Sequence, residues 1–309
     1  MVIPVPAVER LFTDVASRGH VCVGLDTAAD YVPPSERRKA QDDAQAVLAF
    51  NRALVDATFD AAACYKVQIA CYEEMGTAGL ICYAETLKYI RKKGSIVIAD
   101  IKRGDIADTA RRYAKAHFSG DFEADFVTLS PYMGMDSIQP WLTEAQTLGK
   151  GAFVLVRTSN PGMKDFEYLE LAGGIDNGQK PASVRRLYHA VGDKLAELAE
   201  QHHCNCGYGL FGAVIGCTER EEAAEIRKNY PTLFFLIPGY GAQGGGARDA
   251  ALLLRNGNGG VVNASRSIIT AWQKEGADHK NADNSFAAQA ARNAAIKMRD
   301  EIREAVEND

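Results

Sequence analysis

The stretch GSIVIADIKRGDIADTARRYAKAHF, residues 94–118, decides the fold. It begins with a glycine and a short β-branched apolar run, which reads as a buried parallel strand, and ends in "DTARRYAKAHF", which reads as a helix. Asp100, Lys102 and Asp105 crowd the junction, where the strand stops being buried. Charges at the end of an apolar strand are costly unless they pair or meet a ligand, so a functional site is expected there. Side chains alternate along a strand, which places Asp100 and Lys102 on one face.

The same grammar recurs along the chain. Apolar runs that end in polar residues are "HVCVGLD", "CYKVQIA", "SIVIADIK", "DFVTLSP", "AFVLVRTS", "GAVIGCT", "LFFLIPGYG" and "GGVVNASR", eight in all. Helix-length stretches such as "RKAQDDAQAVLAFNRALVDATF" and "EREEAAEIRKNY" separate most of them. Alternating strands and helices force parallel strands with right-handed crossovers. Eight such units predict an α/β fold, a closed (β/α)8 TIM barrel. The structural alternative is a doubly wound open sheet, which usually stops near five or six strands and needs a switch point that the sequence does not display. A barrel of about 250 residues plus insertions uses up the 309 residues, so residues 1–309 are expected to form a single domain. "NSFAAQAARNAAIKMRDEIREAVEND" reads as a closing amphipathic helix.

Composition narrows the partners. The net charge of −5, without a clustered basic tract, argues against a nucleic-acid surface. No run approaches the roughly 20 apolar residues that span a bilayer, and "MVIPVPAVERLF" has no basic lead, so neither membrane nor export is expected and the location reads as cytoplasmic. The seven cysteines are scattered through apolar runs as small hydrophobes, not a disulfide framework. "HHCNC", residues 202–206, gathers zinc-ligand types but lacks a second pair at finger spacing, and is read as a helix end and loop, leaving no metal site.

Active sites of barrels lie at the C-terminal strand ends. Those ends supply Asp26, Lys66 with Gln68, Asp100 with Lys102, Thr158 with Ser159, Gln243, and Ser265 with Arg266. "IPGYGAQGGG" and "NASRSI" follow the seventh and eighth runs, where such barrels often bind phosphate. Glycines let backbone N–H groups approach an anion, and Arg266 offers a planar fork of donors. Asp105 also suits a simpler use, capping a helix that starts at Ile106. The connection of residues 160–182 is long and irregular, which suggests a lid or insertion.

These residues resemble a family. "DIKRGDI" matches the Asp-x-Lys-x-x-Asp signature of orotidine 5'-monophosphate decarboxylases, and "RTSNPG", "PGYGAQGG" and "NASR" resemble their longer-chain bacterial branch, from about Val21 to Ile268. Related metal-dependent sugar-phosphate decarboxylases and synthases share the central motif and are the alternative. Those relatives usually hold magnesium with a Glu at the end of strand two, where this chain has Lys66. The resemblance implies decarboxylation of orotidine 5'-monophosphate (OMP) to UMP in pyrimidine biosynthesis, with no cofactor. It implies that Lys102 is the fixed cation and proton donor, that Asp100 and Asp105 hold its ammonium, and that Lys66 completes an alternating array. Asp26 and Lys66 resemble ribose-hydroxyl ligands, Ser159 a pyrimidine-edge contact, Gln243 a bridge from base to phosphate, and Arg266, beside Ser265, the phosphate ligand. Asp105, Ile106 and Thr109 are implied to enter the neighbouring subunit's site, making the working unit a homodimer. Ser267 departs from the glycine common in that motif. A non-catalytic nucleotide binder is the remaining reading, and it would be expected to have lost Lys102 or Asp100.

Overall fold

The eight apolar runs become eight parallel strands, β1 Val21–Gly24, β2 Cys64–Gln68, β3 Ile96–Arg103, β4 Phe126–Leu129, β5 Gly151–Arg157, β6 Phe211–Ile215, β7 Phe235–Ile237 and β8 Gly260–Ala264. They pair in chain order, and β8 returns to β1 through Val21↔Val262, Cys22↔Asn263 and Val23↔Ala264, closing the barrel. This is the (β/α)8 barrel expected from the alternation of strands and helices. The computed structural model describes residues 4–171, 185–241, 243–274 and 282–308.

The strands are short and apolar because a closed parallel sheet is covered on both faces, by helices outside and by its own side chains inside. Tyr65, Phe126, Phe153, Phe211 and Phe235 are all fully buried. The rings of Phe126 and Phe153, on adjacent strands, stack with centroids 4.9 Å apart. Each such ring contributes roughly 1.5–3 kcal/mol by leaving water. That packed interior is the rigid platform from which the polar strand ends project.

Two connections differ from the periodicity reading. The helical stretch after β1 is two helices, Pro34–Lys39 and Asp43–Thr58. Asp42 breaks it by capping the second, its carboxylate accepting from Gln45 N at 2.8 Å. The connection after β5 is folded over its described part: Pro161–Asp165 form a 3₁₀ turn, and Glu170 bridges to Arg186 just before the helix Leu187–Gln201. Residues 172–182 of the expected lid lie outside the described residues. That helix ends at His202, so "HHCNC" is a helix end and loop. The closing helix runs Asn284–Glu307, and Arg292 fastens it by donating to Ala57 O at 2.7 Å and Asp60 Oδ2 at 2.8 Å.

Candidate active site

A cavity of about 340 Å3 opens at the C-terminal mouth of the barrel. Its floor is apolar, from Leu155, Val214 and Leu236, and its walls are polar. Of the residues expected from sequence, Asp26, Lys66, Asp100, Lys102, Ser159, Gln243, Ser265 and Arg266 all line it, as do Gln68 and Thr158.

One wall carries the charges. Lys66 Nζ, at the end of β2, donates to Asp26 Oδ1 at 3.0 Å and to Asp100 Oδ2 at 2.8 Å, and Lys102 Nζ donates to Asp100 Oδ1 at 2.6 Å. The order is acid, lysine, acid, lysine. Gln68 Nε2 adds a bond to Asp100 Oδ2 at 3.1 Å, and Thr128 Oγ1 one to Asp100 Oδ1 at 2.8 Å, so both carboxylate oxygens accept two bonds each. Burial alone would raise the Asp100 carboxyl, but the Lys66 and Lys102 ammonium groups outweigh it and hold the acid ionised far below the usual range. Burial would likewise neutralise Lys66, and the charges of Asp100 and Asp26 overcome it, keeping the ammonium charged well above the usual lysine range. The side chains of Lys66 and Asp100 are 6% and 7% exposed, whereas that of Lys102 is 48% exposed. Lys102 is therefore the cation that this array presents to the cavity, and the others form its support.

Asp26 is held from behind. Leu25 N donates to Lys66 O at 2.7 Å, Tyr72 OH to Leu25 O at 3.2 Å, and Thr27 Oγ1 to the buried Asn51 at 2.8 Å. Its second oxygen, Oδ2, accepts from Ser265 Oγ at 2.8 Å, which links the end of β8 to the charged wall.

Beside it around the mouth, after β7 and β8, come the glycine turn and Arg266. Gly241 N bonds Gly245 O and Gly245 N bonds Gly239 O, at 2.9 and 3.0 Å, folding the turn tightly. Gly239 sits at φ +102°, where a side chain would be strained. Gln243 is exposed on this turn, and Arg266, also exposed, makes no salt bridge among the described residues. Next to them, Thr158 N donates to Glu167 Oε2 at 2.8 Å and Thr158 Oγ1 lies 2.7 Å from Glu167 Oε1, so the loop after β5 is tied back to the strand's end, beside Ser159. Burial pushes the Glu167 carboxyl up, against the pull of its bonds with Thr158.

Asp105, Ile106 and Thr109 do not line this cavity. Asp105 does not cap the helix as a cap residue would: the helix is Ala107–Phe118, its N-cap is Ile106 without a side-chain cap bond, and Asp105 Oδ1 accepts from Ile106 N at 2.8 Å. The backbone explains the shift, because Ala107 takes φ +50° and turns the entry away from the Asp105 carboxylate. Thr128, Asn160 and Asn263 also line the cavity and were not singled out from sequence. Thr128 carried one signal, a hydroxyl in the middle of the apolar run "DFVTLSP".

Fold and mouth together define a class: a (β/α)8 barrel with an enzyme-type site built on its C-terminal strand ends. The family model described as "Orotidine 5'-phosphate decarboxylase / HUMPS family" matches residues 19–280. The chain is 52% identical over 298 residues to the orotidine 5'-phosphate decarboxylase of Clostridium perfringens (strain SM101 / Type A), covering 96% of this chain and 98% of that one. It is 50% identical over 295 residues to that of Clostridium novyi (strain NT), with 96% and 98% covered. The solved structure of Leishmania donovani OMP decarboxylase superposes with a TM-score of 0.71 at 30% identity, covering 98% of this chain and 99% of that chain. The chain belongs to the orotidine 5'-phosphate decarboxylase / HUMPS family.

Proposed function

We propose that this chain is a carboxy-lyase that converts OMP to UMP, as a step of pyrimidine biosynthesis, and that it needs no metal or organic cofactor. The observation that carries this reading is the alternating array Asp26, Lys66, Asp100, Lys102, whose exposed end is an ammonium group facing the cavity. Loss of the carboxylate breaks a carbon–carbon bond, releases CO2 and leaves the electron pair on a ring carbon with no carbonyl placed to delocalise it. A preorganised cation meets that charge, and Lys102 Nζ then delivers a proton to the same carbon. Asp100, ionised and bonded through both oxygens, holds that ammonium in place. Lys66 bridges Asp100 and Asp26, and with Lys102 it balances their two negative charges.

The acids at this mouth have lysine partners, and Lys66 stands where a metal-binding acid belongs in the sugar-phosphate alternative; both points favour the metal-free reading. Among the described residues, no group of three or more His, Cys, Asp and Glu is arranged to hold a metal. Asp26 and Lys66 suit the ribose hydroxyls, Ser159 the pyrimidine edge, Gln243 the span from base to phosphate, and Arg266 with Ser265 the phosphate end.

The whole chain serves this one barrel, and its working unit is a homodimer with shared sites. Supporting this, Asp105, Ile106 and Thr109 lie on a surface segment outside their own cavity. Ile106 is 44% exposed, and the loop after β4, tied to β3 through Ser130 N and Arg103 O, presents Tyr132 at 84% and Met133 at 49%. Apolar side chains exposed together mark a contact surface. A cytoplasmic location accords with seven free cysteines, and among the described residues no helix is long and apolar enough to cross a membrane.

The test is the loss of OMP absorbance with purified protein in excess EDTA, and undiminished turnover is the expected result. Activity that disappears with EDTA and returns with magnesium would move the chain to the metal-dependent alternative.

A further inference from the structure

We infer that Thr128 is a positioning residue for the Lys102 ammonium, an inference that rests on the reading of Lys102 as proton donor. Strands β3 and β4 pair regularly at Ile98↔Phe126 and Ala99↔Val127, then resume only at Arg103↔Leu129. Four steps along β3 are thus matched by two along β4, and the surplus forms a bulge that contains Asp100, Ile101 and Lys102. A bulge deprives strand amides of their usual carbonyl partners. Here Ile101 N and Lys102 N both donate to one atom, Thr128 Oγ1, each at 3.0 Å.

That hydroxyl has a third bond, donating its proton to Asp100 Oδ1 at 2.8 Å. A hydroxyl has one proton and two lone pairs, so the site uses all of its capacity. Thr128 is 1% exposed, so its hydroxyl holds these partners with little competition from bulk water. The brace matters because of where it acts. Lys102 sits at φ +43°, a left-handed conformation that a lysine adopts only when its surroundings hold it there. From that conformation its Nζ folds back onto Asp100 Oδ1, the oxygen that Thr128 also holds. One side chain therefore sets both the backbone that launches the lysine and the carboxylate that receives it. The β-branched side chain is restricted at χ1, which keeps the hydroxyl in line. Valine has nearly the same shape and can make none of these bonds, whereas serine keeps the hydroxyl and loses only the methyl.

The experiment compares Thr128→Val and Thr128→Ser by kcat and KM for OMP, and by the Kd of UMP in calorimetry. A loosened lysine should lower kcat in Thr128→Val by roughly 30-fold or more. UMP affinity should stay within about threefold of wild type, because the ribose and phosphate contacts lie on other strands. Thr128→Ser should recover most of the lost kcat. A merely structural threonine would lower the melting temperature of Thr128→Val and leave kcat per folded molecule unchanged, and that result overturns the inference. Equal losses of kcat in the valine and serine variants overturn it too. If Thr128→Val does not fold, Thr128→Cys, whose thiol is a poor hydrogen-bonding group, is compared with Thr128→Ser, and equal kcat in those two is the overturning result. Wild-type protein that fails to decarboxylate OMP defeats the functional reading itself, whereas active wild type beside an equally active Thr128→Val defeats only the role of Thr128.

Discussion

Ser265 Oγ donates to Asp26 Oδ2 at 2.8 Å, and that bond joins the end of the last strand to the charged wall built on the first three. Through Asp26 it continues to Lys66, Asp100 and Lys102, so one run of hydrogen bonds links the phosphate side of the mouth to the proposed proton donor. The run depends on a missing side chain. A Cβ on Gly24 would overlap the Ser265 hydroxyl and crowd Asn263 Oδ1.

Gly24→Ala is therefore expected to do more harm than Ser265→Ala. The alanine methyl pushes Ser265 off Asp26 and strains a packed strand end, at a cost of about 1–3 kcal/mol in stability. It should also weaken UMP binding by roughly tenfold or more, since displacing Asp26 disturbs a proposed ribose contact. Removing only the hydroxyl leaves Asp26 its bond to Lys66, and the loss should stay below about tenfold. Calorimetric titration of the two variants with UMP checks the order. If Ser265→Ala binds more weakly than Gly24→Ala, the bond is not what Gly24 protects.

The two lysines of the array should separate stability from catalysis. Lys66→Ala leaves Asp100 and Asp26 without their shared buried cation, and breaking a buried pair this way costs about 3–5 kcal/mol. For a chain of this size the melting temperature should fall by several degrees or more, along with activity. Lys102 is half exposed and Asp100 keeps Lys66, Gln68 and Thr128 without it. Lys102→Ala should therefore abolish turnover while melting within a few degrees of wild type. Thermal scans beside the OMP assay decide this, and a Lys102→Ala protein that retains turnover removes the lysine from the proton-donor role.

How much of this site the sequence carries depends on the kind of feature. Strand ends were legible because burial on both faces of a parallel strand makes it apolar until the chain reaches the mouth, so Asp26, Lys66, Asp100 and Lys102 announce themselves by charge alone. Alternation also brought Asp100 and Lys102 together, though through a bulge that alternation does not contain. A bulge arises from pairing between strands, and nothing in "ADIKRGD" encodes the register of β4 beside it. Thr128 was hidden for a related reason: a threonine inside an apolar strand reads as an ordinary β-former, and only the amides it meets across the bulge give it a task. Asp105 before Ala107 resembles a helix cap because aspartate is among the preferred cap residues, yet the helix starts at Ala107, which takes a left-handed φ, and its cap position is Ile106.

Stability should weaken between about pH 6.5 and pH 4 because of His117. Burial first, and the nearby Arg103 charge second, push its imidazole down to about 4. The ring lies near those of Phe122 and Trp141, with centroids 5.9 and 6.4 Å away. In the unfolded chain the same imidazole takes up a proton near its ordinary value of about 6.5. Below that pH the unfolded state binds more protons than the folded one, so acid favours unfolding until the folded imidazole also titrates near 4. The loss should reach roughly 3 kcal/mol across the window. His117→Phe keeps an aromatic ring at this place and should flatten most of the slope, leaving the smaller shares of His20 and His189, which burial also lowers. Melting temperatures at intervals from pH 4 to 7 test this, and identical slopes in the two proteins would assign the acid sensitivity elsewhere.

The shared site is tested by mixing two dead enzymes. If Lys102 works in its own barrel while Asp105 works in its neighbour's, Lys102→Ala dimers and Asp105→Ala dimers should each be nearly inactive, because every site in them lacks one group. A mixed dimer differs. Two-fold symmetry gives it one site with both defects and one with an intact Lys102 from one chain and an intact Asp105 from the other. Random re-assortment of equal amounts makes about half the dimers mixed, each with one good site, so roughly a quarter of wild-type activity should return. A tagged pull-down establishes that subunits have exchanged before the assay is read. Ile106→Ala and Thr109→Ala, on the same exposed segment, should behave as Asp105→Ala does, complementing Lys102→Ala in part according to how much each loses alone. If exchange is complete and activity stays at the level of the parents, Asp105 serves its own chain, and the surface that carries Ile106, Tyr132 and Met133 has some use other than completing a neighbour's site.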